Sequence, residues 1–310
     1  MFKNFWYAVE FSKAVKASAK PVPVRIFAQD FSLARLPSGQ VQAWNVERPA
    51  NELLPVTEKY GFVWIFLGDP DFPVDQRPPI PEWPEWDDPA FAGHNVTGEW
   101  LWNAGVERIV ENGVDVAHTP FVHAGQFGNP KRPEVPEYEV ITTDWSGELT
   151  VALHPPAPKG VFSMVSKRGD LDNRPPVVTS TAWFLPNLIR LKVRLPFGEL
   201  CLYDTNIPID NKTTLTKFVS LRTFFTGKWA DRDALRRVYP IFKSDAAVVE
   251  AQRPELLPFD LSAELHVRSD RMAISYRKRR QELLNAGWGH TEGDRYLGSS
   301  RELEAADSAA

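Results

Sequence analysis

Cysteine is nearly missing from this chain: Cys201 is the only one in 310 residues. That excludes an internal disulfide framework, a cysteine-rich zinc site and an iron–sulfur cluster held by this chain alone. Cys201 lies in an apolar, strand-like run and reads as a small buried hydrophobe. Long apolar runs are missing as well. The longest, Phe62 to Leu67, is far too short to span a bilayer as a helix. There is no G-x-G-x-x-G after a strand and no P-loop, so no dinucleotide or nucleoside-triphosphate signature is present. Surplus positive charge is absent too. The net charge of −4 gives no hint of nucleic-acid or anionic-membrane binding. No secretory leader is recognisable, because Met1-Phe2-Lys3-Asn4 leads into mixed polar and apolar sequence. The expectation is a cytoplasmic protein with neither nucleic acid nor membrane as partner, in which the sequons at Asn95 and Asn211 carry no weight.

What is present is enough apolar sequence, 43% of residues, to bury a sizeable core. Stretches 22–28, 31–36, 40–44 and 61–67 read as short strands, with a turn at Pro37-Ser38-Gly39. Residues 1–67 are therefore expected to form a small β-domain. Residues 68–95 are so rich in proline that they read as a linker, with Trp83 and Trp86 anchoring it to the body. From about residue 96 the pattern becomes α+β. A helix over roughly 104–118 precedes strands at 137–145, 147–154, 177–185, 187–195, 199–208 and 213–225. A helix over 231–251, interrupted at Pro240, and a last helix over 270–285 follow. This order predicts a curved antiparallel sheet gripping a long helix, with an apolar cavity between them, over residues 96–287. Phe121, Val122, Phe127 and Trp183 could line that cavity or simply fill the core. The basic run Arg277-Lys278-Arg279-Arg280 reads as a solvated face, with docking of a redox partner as the lesser alternative. Residues 288–310 are polar and read as a disordered tail.

The chemistry concentrates in ERIVENGVDVAHTPFVH, residues 107–123. Asn112, Asp115 and His118 recur every third residue, and His123 follows five later. Helical positions three apart lie roughly 60° apart around the axis, so these residues are expected on one helix face. Pro120 disfavours helix at Thr119 and should end the helix just past His118. The chain turns there, and His123 can swing back toward His118. Two histidines are too few for a redox metal. Two histidines and one carboxylate, however, leave positions open for O2 and substrate, as non-haem Fe(II) oxygenases require. The best downstream carboxylate is Asp245 in FKSDAAVVEAQRPE. The alternative makes Ser244 and Asp245 the cap of a helix restarting after Pro240. An isolated H-x4-H fits structural histidines equally well; the longer register with Asn112 and Asp115 is more specific.

The segment NGVDVAHTPFVHAGQFG resembles the catalytic-domain signature of Rieske-type non-haem iron oxygenases, the α-subunits of aromatic-ring hydroxylases and related demethylases. FKNFWYAVEFSKAV, KPVPVRIFAQDFSLARLPSGQVQAW, EKYGFVWIFLGDPD, FKSDAAVVEAQRPE and SDRMAISYRKRRQELL resemble other parts of that family in the same order. The resemblance spans most of residues 1–285 and implies a helix-grip (START-like) fold. It implies that His118, His123 and Asp245 hold mononuclear Fe(II). Asp115 is then the bridging aspartate that orients a ligand histidine and links the iron to its electron donor, and Asn112 lies near the iron. The substrate implied is a small hydrophobic or aromatic molecule, oxidised with O2.

One departure is large. The family's [2Fe–2S] cluster needs a C-x-H and a C-x2-H pair between the hairpin ending at Trp44 and the strand at Phe62. Here that interval reads NVERPANELLPVTEKYG, without Cys or His. The N-terminal unit thus reads as a truncated remnant that carries no [2Fe–2S] cluster. An active enzyme must take electrons from a reductase, ferredoxin or other subunit carrying one, as in the caffeine-type N-demethylase systems that this arrangement resembles. Family members often form trimers, so a homo- or hetero-oligomer is expected. A non-catalytic ligand-binding or scaffold subunit on the same fold is the competing reading, and deletion of the cluster segment is a third.

Overall fold

Short alternating runs punctuated by turns build three antiparallel sheets in the computed structural model, which describes residues 2–289 apart from 18, 50 and 157–174. The first six strands are β1 (Phe5–Phe11), β2 (Val22–Ile26), β3 (Gln29–Arg35), β4 (Val41–Asn45), β5 (Val56–Lys59) and β6 (Phe62–Leu67). They pair as β1-β6-β5 and β2-β3-β4. The other seven are β7 (Thr97–Trp102), β8 (Val140–Thr142), β9 (Ser146–Leu153), β10 (Val177–Phe184), β11 (Leu188–Leu195), β12 (Gly198–Pro208) and β13 (Thr214–Arg222). They form one sheet in the order β7-β13-β12-β11-β10-β9-β8. The helices are α1 (Pro84–Asp87), α2 (Val106–Val114), α3 (Thr119–Val122), α4 (Asp231–Val249) and α5 (Arg271–Asn285). The expected α+β class and the antiparallel sheet gripping a helix are both observed.

Helix α2 lies across β10, β11 and β12. Glycine costs a helix interior about 1 kcal/mol relative to alanine, yet α2 keeps Gly113. A Cβ there would stand 2.5 Å from Cδ1 of Ile189, so glycine is what lets the helix sit this close to β11. On the other face of the sheet, Trp83 stacks on Tyr203 with ring centroids 4.2 Å apart, and Tyr60 stacks on Trp83 at 4.7 Å. Glu85 accepts from the Tyr203 hydroxyl at 2.5 Å and from Lys192 Nζ at 3.0 Å. Trp86 stacks on His94. The proline-rich segment is therefore strapped down by aromatic rings and one buried carboxylate. Phe5, Tyr7, Val63 and Ile65 of the early strands pack in the same core as Val110, Trp183 and Met272.

Four expectations need correction. Helix α2 ends at Val114, not past His118, so Asn112, Asp115 and His118 do not share one helical face. Asp115 is extended (φ −76°, ψ 125°), and its carboxylate takes the amides that a longer helix would have used internally. Pro120 does not end a helix but sits in the first turn of α3, where its missing N–H costs nothing. Helix α4 runs unbroken through Pro240. Burial of Val238, Phe242 and Ala246 against Trp102 and Phe218 outweighs the one lost hydrogen bond. The basic run is not a solvated face. Arg277 and Arg280 are buried and paired with Glu111 and Glu107 of α2, while Lys278 is exposed. The expected disordered tail lies outside the described residues except for Trp288 and Gly289. Trp288 is packed, its ring 5.4 Å from those of both Phe5 and Phe72.

Candidate metal centre

Asp115 builds the first half of the site. Its Oδ1 accepts from the Ala117 amide at 2.8 Å and its Oδ2 from the His118 amide at 3.1 Å. This short loop of side-chain-to-backbone bonds replaces helix and turns the chain. The same Oδ2 lies 3.2 Å from Nδ1 of His118. The imidazole thus donates Nδ1–H to Asp115 and presents Nε2 inward. His123 follows at the end of α3. Its Nδ1 lies 3.0 Å from Ser244 Oγ, whose own hydrogen goes back to the α4 backbone, with Ile241 O at 2.8 Å. Ser244 therefore accepts from His123, and its Nε2 also faces inward. Phe127 packs on the His123 ring at 4.4 Å between centroids.

Asp245 completes the set from the C-terminal part of α4, one residue after Ser244. It is buried and inside the helix, so the capping alternative does not hold. Its Oδ1 lies 3.1 Å from His123 Nε2 and 3.5 Å from His118 Nε2, and the two Nε2 atoms are 3.2 Å apart. These donor atoms all lie within 4.8 Å of one another. Yet Asp245 Oδ1 forms no hydrogen bond. The three donor atoms cluster closely enough to surround one common point. Adjacent ligands about 2.1 Å from one ion stand about 3 Å apart, so the set fits a single metal ion.

Electrostatics agree. Burial works against a charge on His118, but the hydrogen bond to Asp115 and the negative charge of Asp245 outweigh it and raise its pKa to about 9. Burial also opposes ionisation of Asp245, and the two histidines hold its carboxyl below the ordinary range. Without a metal, a proton takes the metal's place.

The remaining sequence candidates fall on both sides of the line. Asn112 stands in the last turn of α2, its backbone carbonyl receiving the Asp115 amide at 3.2 Å. Phe121 is largely exposed. Trp183 is core, its indole N–H donating to Ser275 Oγ at 3.1 Å. Cys201 is buried, and burial pushes its thiol pKa up. Two residues escaped sequence reasoning as functional groups. Ser244 was legible only as a cap. Asp204 of β12 is 8% exposed with Oδ1 unpartnered, and burial, then the charge of Asp245, push its carboxyl up to about 8. A lone acid inside the strand run LCLYDTNI was the available signal.

Residues 102–286 match the family described as vanillate O-demethylase oxygenase C-terminal domain. The chain is 28% identical over 249 residues to methylxanthine N1-demethylase NdmA of Pseudomonas putida, covering 78% of this chain but only 63% of that protein. It is 26% identical over 300 residues to the probable methylxanthine N7-demethylase NdmC of Pseudomonas sp. (strain TJI-51), 93% of this chain and 96% of the other. The structure of Pseudomonas putida CBB5 NdmA with caffeine has the same fold, with a TM-score of 0.69 at 20% identity over 91% of this chain and 92% of its own. The chain belongs to the vanillate O-demethylase-type oxygenases, homologous to Rieske-type non-haem iron oxygenase catalytic domains, and its sequence carries no Rieske cluster motif.

Proposed function

We propose that this protein is an oxygenase component that uses O2 to hydroxylate or oxidatively demethylate a small hydrophobic or aromatic molecule. His118, His123 and Asp245 hold one ferrous ion, which supplies the oxygen-activating chemistry when bound. Asp115 fixes the His118 ring and Ser244 the His123 ring, so that both Nε2 atoms are held unprotonated toward the ion. Asn112 lies near the metal. Residues 96–287 make up the catalytic domain, 68–95 the strap, and 1–67 a β-unit without a cluster of its own. Electrons come from a reductase, ferredoxin or subunit that carries a [2Fe–2S] cluster, within a homo- or hetero-oligomer.

The observation that carries this reading is the buried Asp245 Oδ1, which lacks any hydrogen bond although two imidazole nitrogens stand within 3.5 Å. An unsatisfied buried carboxylate oxygen costs stability unless something absent from the polypeptide satisfies it. The missing cluster motif favours a second reading, a ligand-binding subunit that performs no chemistry. Elemental analysis separates the two. The oxygenase reading gives about one iron per chain, falling to near zero in His118→Ala. Protein that stays metal-free after anaerobic loading with Fe(II) would leave the second reading standing.

A further inference from the structure

Asp204 is a buried acid that the proposed chemistry leaves unused. In β12 it stands between Ile189 of β11 and Phe218 of β13. Strand alternation puts it on the same face as Leu202. That face packs against α2 and α4, since Leu202 and Phe218 share a cluster with Ile109, Phe242 and Ala246. The opposite face, with Cys201 and Tyr203, packs on the aromatic strap. Asp204 therefore lies on the face of the sheet turned toward α2 and α4, where the charge of Asp245 reaches it. It does not belong to the metal set, because the converging donors are His118, His123 and Asp245 alone among the described residues. Among the described residues no ion pair or side-chain hydrogen bond holds it, and its Oδ1 is buried without a partner.

A carboxyl in that position destabilises the fold. Leucine would fill the site without stranding an acceptor among Ile189, Leu202 and Phe218. A group kept against the local preference of its surroundings points to use. One unpartnered acceptor among apolar neighbours suits an apolar body carrying one donor. Whether protonated or ionised, a carboxyl keeps an oxygen able to accept that donor.

We propose that Asp204 is a specificity-determining residue that accepts a hydrogen bond from an N–H or O–H donor on an otherwise apolar ring substrate. This rests on the oxygenase reading of the neighbouring metal centre and names the substrate class for it: ring compounds with a donor, ahead of their alkylated counterparts.

The test uses two matched probe pairs, indole against 1-methylindole and 2-naphthol against 2-methoxynaphthalene. Binding to the full-length protein loaded with Co(II) is measured by titration calorimetry. The donor-bearing member of at least one pair should bind about tenfold tighter, the weight of one hydrogen bond to a buried acid. The responding pair tells N–H from O–H. In Asp204→Leu the ratio should fall to about one while the unfolding midpoint rises. Asp204→Asn keeps an acceptor and should give an intermediate ratio; it carries the test if the leucine variant folds poorly. Equal binding within both pairs, no binding of any of the four, or a preference that survives in Asp204→Leu overturns the proposal. Metal content of the same samples keeps the two readings apart. Wild-type protein without metal sinks the metal centre, whereas metal-loaded protein without donor preference sinks only the role of Asp204.

Discussion

His118 is the residue at which protonation and metal binding compete. Its pKa, raised from 6.5 to about 9, lies above the unfolded value. The metal-free protein therefore draws full stability from this group below about pH 6.5 and loses it as pH rises toward 9. Metal binding runs the other way, because the ligand must be neutral imidazole. Apparent Co(II) affinity should rise about tenfold per pH unit from pH 7 to 8.5 and level off near 9. Asp115→Ala removes the leading hydrogen bond that raises His118, so the plateau should begin at lower pH, and product formation should fall far more than metal content does. Competition titrations against a chelator at several pH values check this; an unchanged profile would make Asp115 a loop-shaping residue only. The residue register was legible in the sequence, but for a different reason from the one assumed. Spacing placed Asn112, Asp115 and His118 together, yet it is the bonds from Asp115 to the amides of Ala117 and His118 that turn His118 inward. Sequence spacing cannot distinguish a continuing helix from a side chain that intercepts its amides.

Elements were easier to find than to end. Six of the seven strands of the large sheet fall within a few residues of their expected positions, because alternation and turn residues are local signals; β7 (Thr97–Trp102) was not expected. Pro240 misled because the burial of Phe242 and Ala246 that overrides it is non-local. The basic run of α5 misled for the same reason. Nothing local tells that Arg277 and Arg280 face inward while Lys278 faces out. Across that interface Arg280 Nε donates to Glu107 at 2.5 Å, and Arg277 and Arg108 both donate to Glu264, at 2.6 and 2.7 Å. These pairs clamp α5 to α2, the helix that leads into Asp115. Arg280→Ala strips Glu107 of its buried arginine and should cost about 3–5 kcal/mol in urea denaturation. Arg280→Met combined with Glu107→Leu should recover most of that loss. Were the single substitution neutral, the clamp would be an ornament of the surface charge rather than part of the core.

At the scale of the whole molecule, the early strands and the large sheet share one core, and the strap is locked by the Trp83–Tyr203 stack. The early strands therefore serve as structural support for the large sheet. The sharing of a core was not legible in the sequence, because it depends on contacts between residues far apart in sequence. The proposed dependence on a partner has a direct kinetic signature. A reductase carrying a [2Fe–2S] domain should sustain turnover well above that with a plain flavin reductase, measured as product formed per NADH consumed. Equal rates with both would remove the partner cluster from the scheme.

Two of the converging donors flank α3 and the third lies on α4, with six strands of the large sheet between them in the chain. During synthesis the histidine pair leaves the ribosome well before Asp245 does. Under the proposed function, an ion that needs all three donors can be captured only once α4 has followed the sheet out. Metal occupancy becomes a late checkpoint on biogenesis, and a truncated translation product cannot pass it.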